Sequence, residues 1–378
     1  MTVIKKLILF VGQTENDNVN RMLFGLQRGF EQLGVATSKI YTTAADYREK
    51  LIQTIDKDDP SFFLAMTGIG LDLREERNLF NQLGKPFVSV YLDPIILYAE
   101  QIRTPIAKRL ITSTSDCDIG YWSNIAPDLD IKFLPHASEL LKQKRKTDRH
   151  IDIVFPATGC ESPEDIRKIE WSLHGPKVEA ALNNIVDEHL RRPLEPLTNS
   201  IETVIGEDID IADYFAIYPY FASVDRYLRC RERWWMLSEL MGLPVTVVGA
   251  GWENFQKQVP DSGFRFLGPR IAYDVQDIIQ QSKIVLNTCT GYHGSHERIF
   301  DSLAGGAIPV TRETHWLKSA VPNDTILFFN QETDDSADFI KNLLENSKKM
   351  SLMAEIGRAW LKKHHTWRHR ADAILNLI

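Results

Sequence analysis

Short apolar runs that alternate with amphipathic stretches constrain the fold of this chain more than any other feature. In the first third the runs lie at residues 7–11, 62–66, 86–92, 119–122 and 131–134. An amphipathic helix is predicted over 20–33, and it ends at Gly34. Wholly apolar strands separated by helical segments are typical of a mostly parallel sheet with helices on both faces.

The same pattern begins again after a highly charged segment. Residues 141–149, LKQKRKTDR, are nearly free of core residues and predict a linker, and a strand follows at 151–155. Further strands are predicted at 245–248, 264–267, 284–286, 309–310 and 326–329. Residues 162–226 are mostly helical, a long helix covers 224–241, and the chain is helical again from about residue 336.

These patterns predict an α/β fold of two tandem Rossmann-like, doubly wound domains that face a cleft. The N-terminal domain covers 1–140 and the C-terminal domain 150–360, with a helical insertion at about 160–225. A last helix, 361–378, is predicted to cross back to the N-terminal domain. Such sheets bind ligands at the carboxyl ends of their strands.

Composition excludes several classes of protein. With 44 basic and 51 acidic residues the net charge is -7, so no overall positive field favours general nucleic-acid binding, although a local basic pocket for a small anion remains compatible. Four cysteines without a Cys-x-x-Cys pair argue against a zinc knuckle and a disulfide framework. The first apolar run is too short for a signal peptide and no run spans a membrane, so we predict a cytoplasmic protein.

The segment from Gln281 to Thr311 carries the strongest functional signal. A strand runs into a glycine turn at 291–295, and a helix begins near Ser295, its predicted N-cap. Free backbone N–H groups and the helix dipole at such an N-terminus attract anions.

Two side chains in the first turns of that helix suit a nucleotide. Arg298 offers a fork of donors matched to phosphate oxygens, and Asp301 suits the paired hydroxyls of a ribose. Gly294, Ser295 and His296 are therefore candidates for binding a diphosphate. The alternative is a well-capped surface helix without a ligand.

Residues 295–310, SHERIFDSLAGGAIPV, resemble the donor-site helix of GT-B glycosyltransferases, most of all the bacterial CgeB-like branch related to spore-maturation proteins. Other segments agree with that branch: 224–227, 247–252, 266–268, 133–137 and 365–371. The resemblance covers about residues 220–375; it is weaker over the first domain and absent from the insertion.

The resemblance implies a glycosyltransferase that binds a nucleotide-sugar donor on the C-terminal domain and an acceptor on the N-terminal one. Asp301 falls where related families hold the donor ribose. His293 stands where those families often have a second acidic residue and is a candidate catalytic residue; because it is not an acid, the alternative is that it contacts the sugar or the diphosphate. No cofactor other than the donor is implied.

Glycines after two strands, and one arginine, complete the donor-site candidates. Gly249 and Gly251 would let the nucleotide approach the backbone, Arg270 would edge the same pocket, and Gly12 would leave room for a substrate. A dinucleotide-binding oxidoreductase is the alternative for the Gly-x-Gly, but the third glycine of that fingerprint is missing.

Two residues of the N-terminal domain are candidates for catalysis. Asp93 ends a strand before a proline and could act as general base for an acceptor hydroxyl; the alternative is a turn-capping aspartate. His136 follows the last strand of the domain, where it could be catalytic, bind sugar or pack at a hinge. His364, His365 and His369 suggest a metal, but their basic neighbours favour a solvated helix face.

We therefore predict transfer of a sugar from a nucleoside diphosphate to an acceptor, without an obligatory metal. The acceptor is left open as a glycan, a lipid-linked group, a small molecule or a protein. Alternatives with the same fold are a sugar-nucleotide epimerase, a phosphorylase, or a non-catalytic nucleotide-sugar binder acting as a partner subunit.

Overall fold

The structure, a computed structural model, describes residues 6–13, 17–71, 78–141, 149–210, 212–289, 294–329 and 336–378. The chain divides into two compact units, Met1–Glu139 with His364–Ile378, and Leu140–Lys363. Each unit contains a six-stranded sheet whose paired strands are all parallel. The predicted α/β class with two parallel sheets is confirmed.

The first unit alternates strands and helices along the chain. Its strands are β1 (Lys6–Val11), β2 (Ala36–Tyr41), β3 (Phe62–Met66), β4 (Phe87–Tyr91), β5 (Arg109–Ser113) and β6 (Ile131–Phe133), in the sheet order β2-β1-β3-β4-β5-β6. Its helices are α1 (Asn18–Gln32), α2 (Tyr47–Asp58), α3 (Leu79–Leu83), α4 (Ala99–Arg103), α5 (Asp116–Ile125) and a final helix, Trp367–Leu377.

Alternate side chains of β1 enter two separate cores. Leu7 and Leu9 pack on the face covered by α1 and the final helix, whereas Ile8 and Phe10 pack on the opposite face with Phe63. Because both faces of the strand are buried, its sequence is apolar throughout, which is why it was recognisable from the sequence.

The final helix packs directly on α1. Trp367 lies against Gly25, and its carbonyl oxygen would be 2.5 Å from a Cβ atom built on Gly29. Arg370 donates hydrogen bonds to the carbonyl oxygens of Pro135 at 2.6 Å and His136 at 2.8 Å. The last helix is therefore part of the core of the first unit.

The second unit contains the other sheet and the helical segment. Its strands are β7 (Ile151–Pro156), β8 (Val245–Val248), β9 (Arg265–Phe266), β10 (Ser282–Asn287), β11 (Ile308–Thr311) and β12 (Leu327–Phe328), in the order β12-β11-β10-β7-β8-β9. Its helices are α6 (Pro163–Asp165), α7 (Pro176–Arg191), α8 (Leu197–Ile205), α9 (Tyr214–Glu239), α10 (Glu253–Gln258), α11 (Ala272–Gln280), α12 (Glu297–Gly305), α13 (His315–Ala320), α14 (Ser336–Glu345) and α15 (Ser347–His364), and the final helix is α16.

Several predicted elements differ from the structure. Residues 119–122 lie within α5 and not in a strand, because a short apolar run alone does not separate a buried helix segment from a strand. Strands β2 and β5 were missed: β2 is a half-exposed edge strand, and β5 reads RLITS, too polar to suggest burial. Helix α9 begins ten residues early, at Tyr214, where Asp213 caps it.

The predicted linker falls mostly on residues 142–148, which lie outside the described residues. In the described part of the chain, no helix is long and apolar enough to cross a membrane.

Candidate functional site

The carboxyl ends of neighbouring strands in the second unit carry a chain of polar side chains. Asn287 ends β10 and Thr311 ends β11, and both are fully buried. Asn287 Nδ2 donates a hydrogen bond to Thr311 Oγ1 at 2.9 Å. Buried polar groups must be paired to avoid a desolvation penalty, so this bond fixes the orientation of the Asn287 amide.

Arg298 is bound to that amide. Its Nη1 atom donates to Asn287 Oδ1 at 3.2 Å from the first turn of α12. Burial lowers the pKa of Arg298, and the positive charge of Arg233 contributes in the same direction. The guanidinium is thus held half-buried at the strand ends by an acceptor that carries no charge.

The residue that caps α12 is His296, and the prediction of Ser295 as N-cap is wrong. His296 has the extended backbone of an N-cap (φ -141°, ψ 140°), and α12 begins at Glu297. Ser295 is buried, with 2% of its surface exposed. Gly294 is also buried, and its carbonyl oxygen accepts a hydrogen bond from Thr314 Oγ1 at 3.0 Å, which fixes the loop before the helix.

The imidazole of His296 contacts two groups through the same nitrogen. Nδ1 lies 2.8 Å from Glu297 Oε2 and 3.4 Å from the backbone N of Arg298. The shorter contact favours a proton on Nδ1, donated to Glu297. Burial lowers the pKa of His296, against the opposing effect of the Glu297 carboxylate, so the neutral ring is favoured.

Helix α12 ends in a run of small residues, 304–307. Gly306 takes the left-handed conformation (φ 77°), and its backbone N–H donates to the carbonyl oxygens of Leu303 and Ser302. Asp301, one turn after Arg298, has only 3% of its surface exposed. A ribose could reach its carboxylate only if the surrounding residues opened locally.

Two arginines of α9 act electrostatically on Arg298, and the sequence analysis missed them. Arg229 and Arg233 are four residues apart, so they lie on the same face of the helix. Their charges both act to lower the pKa of Arg298, which places them near its guanidinium. We call Arg229, Arg233 and Arg298 the arginine cluster.

The arginine cluster is only partly neutralised. Arg229 Nε donates to Asp225 Oδ2 at 2.7 Å, and Arg233 Nη1 donates to the carbonyl oxygen of Thr158 at 2.8 Å. Among the described residues, the buried Nε atom of Arg233 has no hydrogen-bond partner. Unpaired buried donors are costly, so a bound anion would relieve both this unpaired donor and the repulsion among the three cations.

A further charge pair extends this face towards β11. Arg312, directly after β11, places Nε 3.6 Å from Glu232 Oε2 on α9. Both side chains are buried, and burial raises the pKa of Glu232. The pair joins the long helix to the sheet beside the arginine cluster.

The glycines after β8 are required by contacts within the protein. A Cβ atom on Gly249 (φ +150°) would fall 2.2 Å from the carbonyl oxygen of Ala157, and one on Gly159 would fall 2.2 Å from that of Gly251. The loops after β7 and β8 therefore touch backbone to backbone, which accounts for these glycines without a ligand. Trp252 Nε1 donates to Ala157 O at 2.7 Å and seals the junction.

Arg270 lies on the same edge but at the far side of the sheet. It follows β9, is exposed, and donates from Nη1 to the carbonyl oxygen of its neighbour Pro269 at 2.8 Å. With β7 and β8 between β9 and β10, three strand spacings put the two strand ends about 14 Å apart. Arg270 is thus separated from the arginine cluster.

The remaining predicted site residues belong to the first unit. The space above Gly12 is taken by Ile69, whose Cγ2 would be 2.8 Å from an added Cβ. Asp93 is half-buried after β4, and Tyr98 donates its hydroxyl to Asp93 Oδ2 at 3.4 Å. His136 is buried with 3% exposure, and its carbonyl oxygen accepts from Arg370.

The histidines near the C-terminus differ from the prediction of a solvated face. His364 is exposed, but His365 is buried and its Nδ1 lies 2.5 Å from Arg370 Nη2. His369 Nδ1 lies 2.7 Å from Thr366 Oγ1 as part of a capping box on α16. The rings of His365 and His369 thus contact Arg370 and Thr366 at the start of α16, and both contacts lie within the first unit.

The predicted role of His293 and the predicted independence of a metal remain predictions. His293 lies outside the described residues. Over the described part of the chain, no group of three or more His, Cys, Asp or Glu side chains is placed to hold a metal ion. The absence of a metal requirement stays a prediction.

Comparison with known families gives one match that coincides with this site. Residues 231–376 match the family model described as glycosyl transferase-like. The matched segment includes Arg233, Asn287, α12 and Thr311. No match was found among curated protein sequences.

Solved structures resemble the chain over nearly its whole length. Anabaena HepE in complex with UDP-glucose has a TM-score of 0.53 at 12% identity, with 98% of each chain covered. An alpha-glucosyltransferase in complex with UDP and DNA has 0.58 at 12%, again with 98% of each covered. Sucrose-phosphate synthase from Thermosynechococcus elongatus has 0.55 at 10%, covering 99% of this chain and 98% of that one.

These similarities establish the fold of the protein. The fold is GT-B, as the two parallel sheets and the full-length structural matches show. The glycosyl transferase-like match covers residues 231–376, most of which lie in the second unit of this fold.

Proposed function

We propose that the protein transfers a sugar from a nucleoside diphosphate donor, with the diphosphate bound by the arginine cluster and the N-terminus of α12. The observation that carries the proposal is the convergence of three arginines at one strand edge, with the buried Nε of Arg233 unpaired among the described residues. A diphosphate supplies the negative charge and the acceptor oxygens that these groups can bind.

The same groups would stabilise the transition state. As the bond between the anomeric carbon and the diphosphate oxygen breaks, negative charge grows on the leaving diphosphate. Fixed donors aimed at developing charge lower the barrier without a rearrangement during the reaction. In this proposal the acceptor oxygen forms the new bond to the anomeric carbon and gives its proton to a base. The arginine cluster takes the place of a metal at the leaving diphosphate.

The donor is proposed to be a uridine diphosphate sugar. HepE and the alpha-glucosyltransferase have UDP-glucose and UDP, respectively, in their structures. Asp301 is proposed to bind the ribose because of the family resemblance. Since Asp301 is buried, the residues around it would have to move apart for the ribose to reach it. The assignments of Gly294, Ser295 and His296 to the diphosphate follow from their place at the start of α12.

The acceptor is proposed to be other than DNA. The similar alpha-glucosyltransferase was solved with a DNA oligonucleotide, but this chain has a net charge of -7 and so lacks an overall field for phosphate backbones. Asp93 remains the candidate base in the first unit, while the burial of His136 leaves little surface for a substrate. The CgeB-like branch and cytoplasmic localisation stay predictions.

Calorimetric titration with UDP, UMP and uridine tests the donor site. We expect UDP to bind more tightly than UMP, and UMP more tightly than uridine, because each phosphate adds charge-assisted hydrogen bonds. Arg298→Ala should lower turnover of the UDP-sugar by about 10²–10³-fold. Arg265→Ala, at an exposed arginine of β9, is the matched control and should leave turnover unchanged.

Product analysis separates this reaction from others that the same fold supports. Transfer to an acceptor with release of UDP supports the proposal, whereas an isomerised donor indicates an epimerase. Folded protein that binds none of the nucleotides, or full turnover in Arg298→Ala, would show that the diphosphate site is wrongly placed.

A further inference from the structure

Two cysteines that are distant in the sequence come together in the second unit. Cys160 follows β7, at the start of the helical segment, and Cys230 lies within α9. Each thiol alters the pKa of the other, and both thiols are free. The two side chains are therefore neighbours in the reduced protein.

Backbone contacts hold the loop that carries Cys160 against α9. Trp234, one turn after Cys230, donates from Nε1 to the carbonyl oxygen of Cys160 at 3.3 Å. Arg233 donates to the carbonyl oxygen of Thr158 at 2.8 Å. These two anchors fix the position of Cys160 relative to the turn of α9 that contains Cys230.

The two thiols are unequal in character. Cys160 is half-buried, and its pKa is lowered mainly by the hydrogen bond from Cys230 and further by Arg233, against the effect of burial. Cys230 has 2% of its surface exposed, and its pKa is raised by the same bond and by burial. Cys160, the more exposed thiol and the one whose pKa is lowered, is thus the group that attacks, with Cys230 beside it as the partner that resolves the product.

We propose that Cys160 and Cys230 are a peroxide-sensitive pair that forms a reversible disulfide and closes the helical segment 161–229 into a loop. The Cys160 thiolate attacks hydrogen peroxide, forming a sulfenic acid and releasing hydroxide, which takes up a proton to give water. The Cys230 thiol then attacks the Cys160 sulfur; the S–S bond forms, the S–OH bond breaks and a second water leaves. Two thiols are oxidised and one peroxide is reduced.

The pair does not depend on the proposed diphosphate site, although Arg233 touches both. A crosslink between these positions restricts the unfolded chain over the whole helical segment, so the oxidised protein should melt at a higher temperature than the reduced protein. A thiol reductant should return the melting temperature to its starting value.

The test is oxidation of the full-length reduced protein with hydrogen peroxide, followed by alkylation of the unfolded protein and mass measurement. We expect two of the four thiols to become unavailable, with a mass loss of two hydrogen atoms and a crosslinked peptide joining the segments around 160 and 230. Retention of all four thiols under conditions that oxidise glutathione, or loss of Cys117 or Cys289 instead, would overturn the proposal.

Single variants separate the roles of the two sulfur atoms. Cys230→Ser should accumulate a Cys160 sulfenic acid that dimedone traps, whereas Cys160→Ser should form no internal disulfide. Cys117→Ser, in α5 of the first unit, is the matched control and should oxidise as the wild type does. A disulfide that still forms in Cys160→Ser would assign the chemistry to another pair.

Discussion

Arg298 donates a hydrogen bond from Nη1 to Asn287 Oδ1 at 3.2 Å, and the same amide donates to Thr311 Oγ1 at 2.9 Å. Helix α12 and the ends of β10 and β11 are thereby joined through one neutral side chain. The acceptor orients the guanidinium without neutralising its charge, which keeps Arg298 available to an anion.

Asn287→Asp tests the importance of that neutral acceptor. The carboxylate keeps an oxygen for Arg298 but pairs with its charge, so the affinity for UDP should fall about tenfold, equivalent to about 1.4 kcal/mol. Thermal melting verifies that the variant is folded, because the new carboxylate is buried and loses the amide donor to Thr311. Calorimetric titration measures the affinity, and Thr311→Ser, which keeps the hydroxyl, is the control. Undiminished UDP binding in Asn287→Asp would refute the role of the amide.

Removal of divalent metals tests whether the arginine cluster alone compensates the negative charge of the diphosphate. We expect donor-dependent turnover to survive exhaustive treatment with EDTA, since the arginine cluster supplies the positive charge. Addition of Mg²⁺ or Mn²⁺ should not raise the rate. An enzyme that loses activity with EDTA and recovers it with Mn²⁺ would contradict the proposed mechanism.

The buried ring of His365 predicts a dependence of stability on pH. Burial lowers its pKa from 6.5 to about 3, so between these values the unfolded chain binds a proton that the native state does not. The contribution of His365 to the free energy of unfolding is fully present above about pH 6.5. It decreases as the pH falls from about 6.5 towards 3. His365→Asn removes the imidazole that binds the proton and keeps an oxygen acceptor for Arg370.

Urea denaturation at pH 7 and pH 5 measures this effect. Between the two values the wild type should lose about 2 kcal/mol more than His365→Asn. His174→Asn, at an exposed histidine, is the control and should follow the wild type. Equal losses in the wild type and His365→Asn would show that His365 titrates normally in the folded protein.

A matched pair of glycine substitutions tests the packing of α16 on α1. Gly29→Ala would place Cβ 2.5 Å from the carbonyl oxygen of Trp367, so the helices must separate, and stability should fall by about 2 kcal/mol. Gly120→Ala, in α5, meets no atom within 4 Å and should stabilise by up to about 1 kcal/mol through helix propensity. Thermal melting compares them, and a neutral Gly29→Ala would mean that the contact is looser than described.

The helix α12 was predictable because its signals are local in sequence. Gly294, Arg298 and the small residues around Gly306 lie within one strand–turn–helix unit, where the glycines and the helix start identify an anion site. The identity of the N-cap was not predictable: serine is the usual cap, but here the extended residue is His296.

The other half of the arginine cluster could not be predicted in the same way. The spacing of Arg229 and Arg233 places both on one face of a helix, but α9 carries several other charges and its sequence does not say which face meets the strand ends. Strand β5 illustrates the same limit, because its polar sequence, RLITS, is buried only through its position between β4 and β6.

The assignment of α16 to the first unit has a consequence for synthesis on the ribosome. The second unit, Leu140–Lys363, is continuous in the chain, whereas the first unit needs residues 364–378 to cover Gly25 and Gly29. The part that is translated first therefore cannot complete its core until the second unit has emerged. Until α16 has been translated, one face of the sheet in the nascent first unit stays partly exposed. A chaperone would bind this apolar surface at that stage.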